Sequence, residues 1–175
     1  IVPVDGVPTG GGGGIVQVKC TTKQDMFDTA STSFVDITGL SVSITPKFST
    51  SKMLVTVHVF ANCEDASVLR LMFDSTAVGN GTASDVGVNN QGFAMVRQDD
   101  GNLGGGYGIQ LLHTPGDTSS HTYKIQGRAT NSSYSLGINR RIDNQNYSLS
   151  SSFSTPFSFL LGVLASDKAI SSCST

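Results

Sequence analysis

Three histidines, His58, His113 and His121, are the side chains of this sequence best suited to move a proton or ligate a metal. Small acidic groups accompany them: Asp25 with Asp28, Glu64 with Asp65, and the run Asp99-Asp100-Gly101-Asn102. The run gathers oxygen ligands and a glycine. A calcium loop, however, spaces its carboxylates on alternate positions and closes with a distal Glu, and neither feature is present. It reads as a solvated turn. A Ser-His-Asp triad can be drawn on paper from so many serines and aspartates, which makes the drawing uninformative. The contexts that would give one meaning, a Gly-x-Ser-x-Gly elbow or a His-Glu-x-x-His pair, do not occur. The glycine runs Gly10 to Gly14 and Gly104 to Gly106 lead into neither a helix nor a lysine, so they read as loop backbone rather than phosphate cradles. The expectation is a chain with no catalytic residues, no metal and no cofactor.

One binding chemistry survives this reading. Aromatic rings stack on the apolar faces of sugars while polar and charged side chains bind the hydroxyls. Tyr107, Tyr134 and Tyr147, with Arg140 and Arg141, offer that combination, although Trp is absent. Tyr134 shares a face with Leu136 and Ile138 and is expected in the core. That leaves Tyr147, Arg140 and Arg141 as the candidate binding residues.

Strands must position these groups. In the stretch STSFVDITGLSVSITP (Ser31 to Pro46), Val35 and Ile37 are apolar on odd positions, then Leu40, Val42 and Ile44 on even ones. Side chains alternate faces along a strand, so this change of phase requires a bulge or bend, and Gly39 sits where it falls. Val16, Val18 and Cys20 share a face of a first strand over Ile15 to Thr22. Met53, Val55, Val57 and Val59 share a face of another, whose opposite face is a mixture of Leu54, Thr56, His58 and Phe60. Leu69, Leu71 and Phe73 mark a further strand, Phe93 to Arg97 a short one, and Tyr107 to His113 another. The clearest alternation puts Tyr123, Ile125, Gly127 and Ala129 inward and Thr122, Lys124, Gln126, Arg128 and Thr130 toward water. Asn131-Ser132 should then turn the chain into a hairpin with Tyr134, Leu136 and Ile138, and Asn80-Gly81 is a second hairpin signal. Thr21 to Thr32 is polar and reads as a connection, with Thr22 to Thr29 able to form one helical turn. Phe157 to Ala165 is apolar on nearly both faces, as a central strand should be. Roughly eight to ten strands at this spacing predict an all-β, antiparallel two-sheet β-sandwich of jelly-roll type over residues 15–175. Residues 1–14, proline-broken and then glycine-rich, read as an extended N-terminal arm and hinge.

Composition narrows the partners. Charged residues are 14% of the chain and the net charge is -2, so no basic excess exists to hold nucleic acid. No apolar run is long enough to insert in a membrane as a helix. The chain begins at Ile1 with no initiator Met, the expectation being a processed chain or part of a longer one. Three cysteines, Cys20, Cys63 and Cys173, stand far apart with no Cys-x-x-Cys. Cys20 continues an apolar face, and three free thiols are favoured over one disulfide and one free thiol.

From Gly14 to Val59 the sequence also resembles a module of bacteriophage tail-fibre-like and other virion surface proteins, many of them from viruses of aquatic bacteria. The residues carrying the resemblance are the strand Ile15-Val16-Gln17-Val18 after a glycine, the run Ser31 to Asp36, the run Thr38 to Pro46, and the Ser-Lys-aliphatic strand from Ser51. Thr118 to Gly127 matches a later Tyr-Lys-Ile-Gln element less closely. The resemblance implies a β-sandwich on the virion surface, often a homotrimer, that is not an enzyme and supplies no catalytic residues. On that reading the chain is a fibre, spike or head decoration whose copies meet through apolar faces, with Leu54 and Phe60 in the contact. Residues 1–14 would attach to other virion proteins. The alternative is a carbohydrate-binding module that recognises a host surface glycan through loops bearing Tyr147, Arg140 and Arg141.

Overall fold

The change of phase foreseen at Gly39 is a bulge in the second long strand. A computed structural model describes residues 15–81, 91–97, 104–140 and 159–164. In it β3 (Val35–Ile44) pairs antiparallel with β9 (His121–Ala129), first as Asp36↔Gln126 and next as Ser41↔Lys124. One strand thus advances five residues while its partner advances two. Ile37 before the bulge and Leu40, Val42 and Ile44 after it are all buried. Gly39 takes φ 85°, in the left-handed region where a Cβ is strained.

The other strands are β1 (Ile15–Thr21), β2 (Phe27–Thr29), β4 (Lys52–Asn62), β5 (Ser67–Phe73), β6 (Thr76–Val78), β7 (Ala94–Val96), β8 (Gly105–His113), β10 (Leu136–Ile138) and β11 (Phe159–Leu164). They form two antiparallel sheets. The first runs β1-β11-β4-β10-β2, with β8 along the other edge of β4; the second runs β3-β9-β5-β6, with β7 also on β5. With the short β2, β6 and β10 set aside, first pairs with last (β1·β11), second with second-last (β3·β9), then β4·β8 and β5·β7. That nested pairing is the wrapped hairpin of a jelly roll. The apolar strand foreseen near the end of the chain does lie centrally, as β11 between β1 and β4.

Between the sheets, Met53, Val55, Val57 and Val59 of β4 pack with Leu40, Val42, Ile44, Leu69, Leu71, Tyr123 and Ile125. Each such aliphatic side chain contributes about 1.5–3 kcal/mol on burial, so the sandwich is held by this layer. Gly127 belongs to it by having no side chain: a Cβ there would run into Leu136 and stand 3.3 Å from Ile37 Cδ1.

Several local expectations are corrected. Leu136 and Ile138 do not form a hairpin with β9; β10 crosses to the first sheet and pairs with β4 and β2. The end of β9 is already taken, since Ala129 N donates to Ser31 O (2.8 Å) and Thr130 N to Ala66 O (2.9 Å). Tyr134 therefore stays in the connecting turn, 37% exposed, and not in the core. The segment read as a connection or helical turn contains β2. The hairpin after β5 turns at Asp74, with φ 52°, and not at Asn80-Gly81. Asn80 instead extends the sheet by its side chain, Oδ1 accepting from Leu71 N at 3.4 Å. Arg128, expected in water, is 7% exposed, its Nη1 donating to Thr32 O (3.0 Å). Cys20 is disulfide-bonded, with its partner outside the described residues, while Cys63 is a buried free thiol. The arm of residues 1–14 and the run Asp99 to Asn102 also lie outside the described residues.

Candidate functional site

The outward face of the first sheet pairs large side chains with small ones. Across β4 and β8 the register is Leu54↔Leu112, Thr56↔Gln110, His58↔Gly108 and Phe60↔Gly106. Phe60 and His58 lie over glycines at the start of β8: a Cβ on Gly104, just before the strand, would collide with the Phe60 ring, and one on Gly106 would stand 2.8 Å from His58 Nε2. Rings laid on glycine backbone leave a flat surface, and the next pair along it is Thr56 with Gln110, whose Nε2 is 3.5 Å from Thr56 Oγ1. At its end Leu54 and Leu112 face each other across the strands, 38% and 53% exposed. None of these eight outward positions is Asp, Glu, Lys or Arg. Leu54 and Phe60, singled out from sequence, are thus on one face, and Leu112 is the partner that sequence reasoning missed. Its signal was present in the double leucine of β8, which must expose one of the two.

The sugar-binding trio is not assembled by the described residues. Arg140 follows β10 and its Nη1 lies 3.1 Å from Asp28 Oδ2 on β2. Arg141 and Tyr147 lie outside the described residues.

The histidines separate into two settings. His58 is exposed on the flat face just described. His113 and His121 meet around Phe73, with ring centroids 4.6 and 4.5 Å from the phenyl ring. His121, 8% exposed, is gripped from both sides: Nδ1 is 2.8 Å from Asp74 Oδ2 and Nε2 is 2.9 Å from Asp117 Oδ1. Asp74 also accepts from Thr122 N (2.8 Å) and Asp117 from Ser119 N (2.6 Å). His113 Nδ1 sits 2.6 Å from the Tyr123 hydroxyl, which burial pushes above its ordinary range. Burial opposes charge on His121, but the hydrogen bonds that Asp74 and Asp117 accept from its ring outweigh it and raise its pKa. Both ring nitrogens of His121 and both carboxylate oxygens of Asp74 are engaged within the group. Its chemistry is to tie the turn after β5 and the turn before β9 to the start of β9. Among the described residues no three His, Cys, Asp or Glu side chains are grouped to hold a metal ion.

Fold and site together define an antiparallel jelly-roll sandwich whose first sheet carries, from Leu54 to Phe60 and from Gly106 to Leu112, an outward patch without Asp, Glu, Lys or Arg, bordered by exposed Lys52. No family of known proteins matches the chain, and no curated protein matches it. Among solved structures it is similar to a chain in the structure of infectious bursal disease virus Gx strain, at 13% identity and a TM-score of 0.39. The match covers 84% of this chain but only 39% of that one. A likeness this distant carries no argument about function.

Proposed function

We propose that this chain is a non-enzymatic structural module displayed on the surface of a bacteriophage particle, as a fibre, spike or head decoration. Copies meet through the outer face of the first sheet and close into a homotrimer, and residues 1–14 join the module to other virion proteins. The observation that carries the reading is the cross-strand pair Leu54 and Leu112, 38% and 53% exposed on the outward face of the first sheet, which also bears Phe60 further along β4. An exposed leucine pair set among polar residues favours burial against a symmetry-related copy. The resemblance over residues 14–60 and 115–130 supports the virion setting. The polar clusters, which serve to fasten turns, fit a structural role.

The test is the native mass of the whole chain in solution. A trimer is expected, and the pair Leu54→Lys and Leu112→Lys should dissociate it. Both side chains are exposed, so the variant should keep its fold within about 1 kcal/mol. A wild-type chain that stays monomeric at every accessible concentration overturns the reading.

A further inference from the structure

The second sheet presents a different outer surface. Three neighbouring strands each contribute to one chain of hydrogen bonds. Lys124 Nζ of β9 reaches Asp36 Oδ2 of β3 at 2.8 Å, and Gln126 Nε2 donates to Asp36 Oδ1 at 2.6 Å. The other end of the same amide, Oε1, accepts from Arg70 Nε of β5 at 2.8 Å. Both carboxylate oxygens and both ends of the amide are thereby used, so the orientation of each group is fixed by the one before it. The Lys124 hydrogen bond holds Asp36 below the ordinary carboxylate range, which keeps the relay charged.

The relay ends on a guanidinium that is held on two sides. Arg70 Cζ lies 3.8 Å from the centroid of the Phe34 ring, so one face is stacked while Gln126 holds the Nε edge. Its two terminal nitrogens have no protein acceptor among the described residues. A guanidinium so fixed offers a planar pair of donors that matches a carboxylate, with little side-chain entropy left to lose on binding.

Beside it, sharing Asp36 and Lys124, a cavity of about 490 Å³ opens where β3 bulges away from β9. Its walls are Asp36, Thr38, Ser41, Asp74, Thr122 and Lys124, together with the backbone of the bulge. The hydroxyls of Thr38 and Ser41 can donate and accept, the Lys124 ammonium donates and the carboxylates accept through their remaining lone pairs, the mixture that a polyhydroxylated ligand requires. The one aliphatic residue on its rim, Ile37, is turned into the core at 2% exposure, so an apolar peptide anchor would find no pocket. We infer that this surface binds an acidic polysaccharide, Arg70 taking the uronate carboxylate and the cavity at the β3 bulge taking the hydroxyls of the adjoining sugar.

The probes are polygalacturonate and alginate fragments, with dextran as the neutral polymer and dextran sulfate as a non-planar polyanion, followed by calorimetry on the whole chain. Uronate fragments should bind, dextran should not, and Arg70→Gln should weaken uronate binding roughly tenfold or more. Arg70→Lys keeps the charge without the fork and should recover only part of that loss. Gln126→Met leaves Arg70 charged but unaligned, and it should also weaken binding. An unchanged native mass and melting temperature in these variants separate a failure of this site from a failure of the assembly face. Equal binding by wild type and Arg70→Gln, or by Arg70 and Lys at this position, overturns the inference. So does the absence of any uronate binding, or a preference for dextran sulfate.

Discussion

At the scale of single residues, His121 and His113 respond to pH in opposite senses. His121 is raised because the Asp74 and Asp117 hydrogen bonds outweigh burial. Its contribution is complete below the unfolded histidine value of about 6.5 and fades as pH rises through the higher folded value. His113 is lowered, first by burial and then by the charge of His121. Its folded state prefers the neutral ring, so that contribution is present above about 6.5 and is lost as pH falls toward the lower folded value. Asp74, lowered first by the Thr122 amide and then by His121, and Asp117, lowered first by the Ser119 amide, weaken the fold only in stronger acid. The groups around the two rings are Asp74, Asp117, Phe73 and Tyr123, so the titration of this cluster is contained within it. His121→Gln should therefore melt earlier than wild type at about pH 5.5 and approach it at about pH 8, whereas His113→Gln should gain on wild type as pH falls from about 7 to 5.5. Thermal melts across that range check both signs. None of this was legible in the sequence, because Asp74 stands 47 positions from His121 and only the fold brings them together. Only Asp117, four positions before His121 in a turn rich in Pro and Gly, gave any local signal.

At the scale of elements, alternation revealed the strands and failed on their partners. The odd-to-even change between Ile37 and Leu40 specified the bulge, because a core on one face admits no other way to bury both residues. Gly39→Ala should cost about 1–2 kcal/mol, since the backbone there is left-handed. The space itself would accept the methyl, whose nearest neighbour is Lys23 Nζ at 3.7 Å. Chemical denaturation of this variant should show a lower midpoint with an unchanged slope. The pattern in Leu136 and Ile138, by contrast, is the same whichever strand they join, and a three-residue strand has too little pattern to choose. Adjacency in sequence favoured β9. The competing claims of Ser31 and Ala66 on the end of β9 decided otherwise, and they come from segments about 98 and 64 residues away in the chain, respectively. The same limit applies to the candidate surfaces. Leu54 and Phe60 could be read from β4 alone, while Leu112 and the Arg70–Gln126–Asp36 relay exist only once strands are paired.

At the scale of the whole molecule, the two sheets face outward with different physics, and salt should tell them apart. The first sheet offers leucines and rings on glycine, with no Asp, Glu, Lys or Arg among its outward positions from Leu54 to Phe60 and from Gly106 to Leu112. Association through that face draws on apolar burial, which salt leaves intact or strengthens. The second sheet offers Arg70 and Lys124, ordered by one carboxylate, and its proposed ligand is an anion. Interactions between solvent-accessible charges weaken as the screening length shrinks from about 14 Å at 0.05 M to about 4 Å at 0.5 M salt. Across that range the native mass should stay constant, while uronate affinity should fall severalfold. Sedimentation and calorimetry on the same samples read the two quantities side by side. A mass that drops with salt would move the contact to a charged surface and away from Leu54 and Leu112. An affinity that ignores salt would remove the carboxylate from Arg70 and leave only the cavity at the β3 bulge as a binding surface.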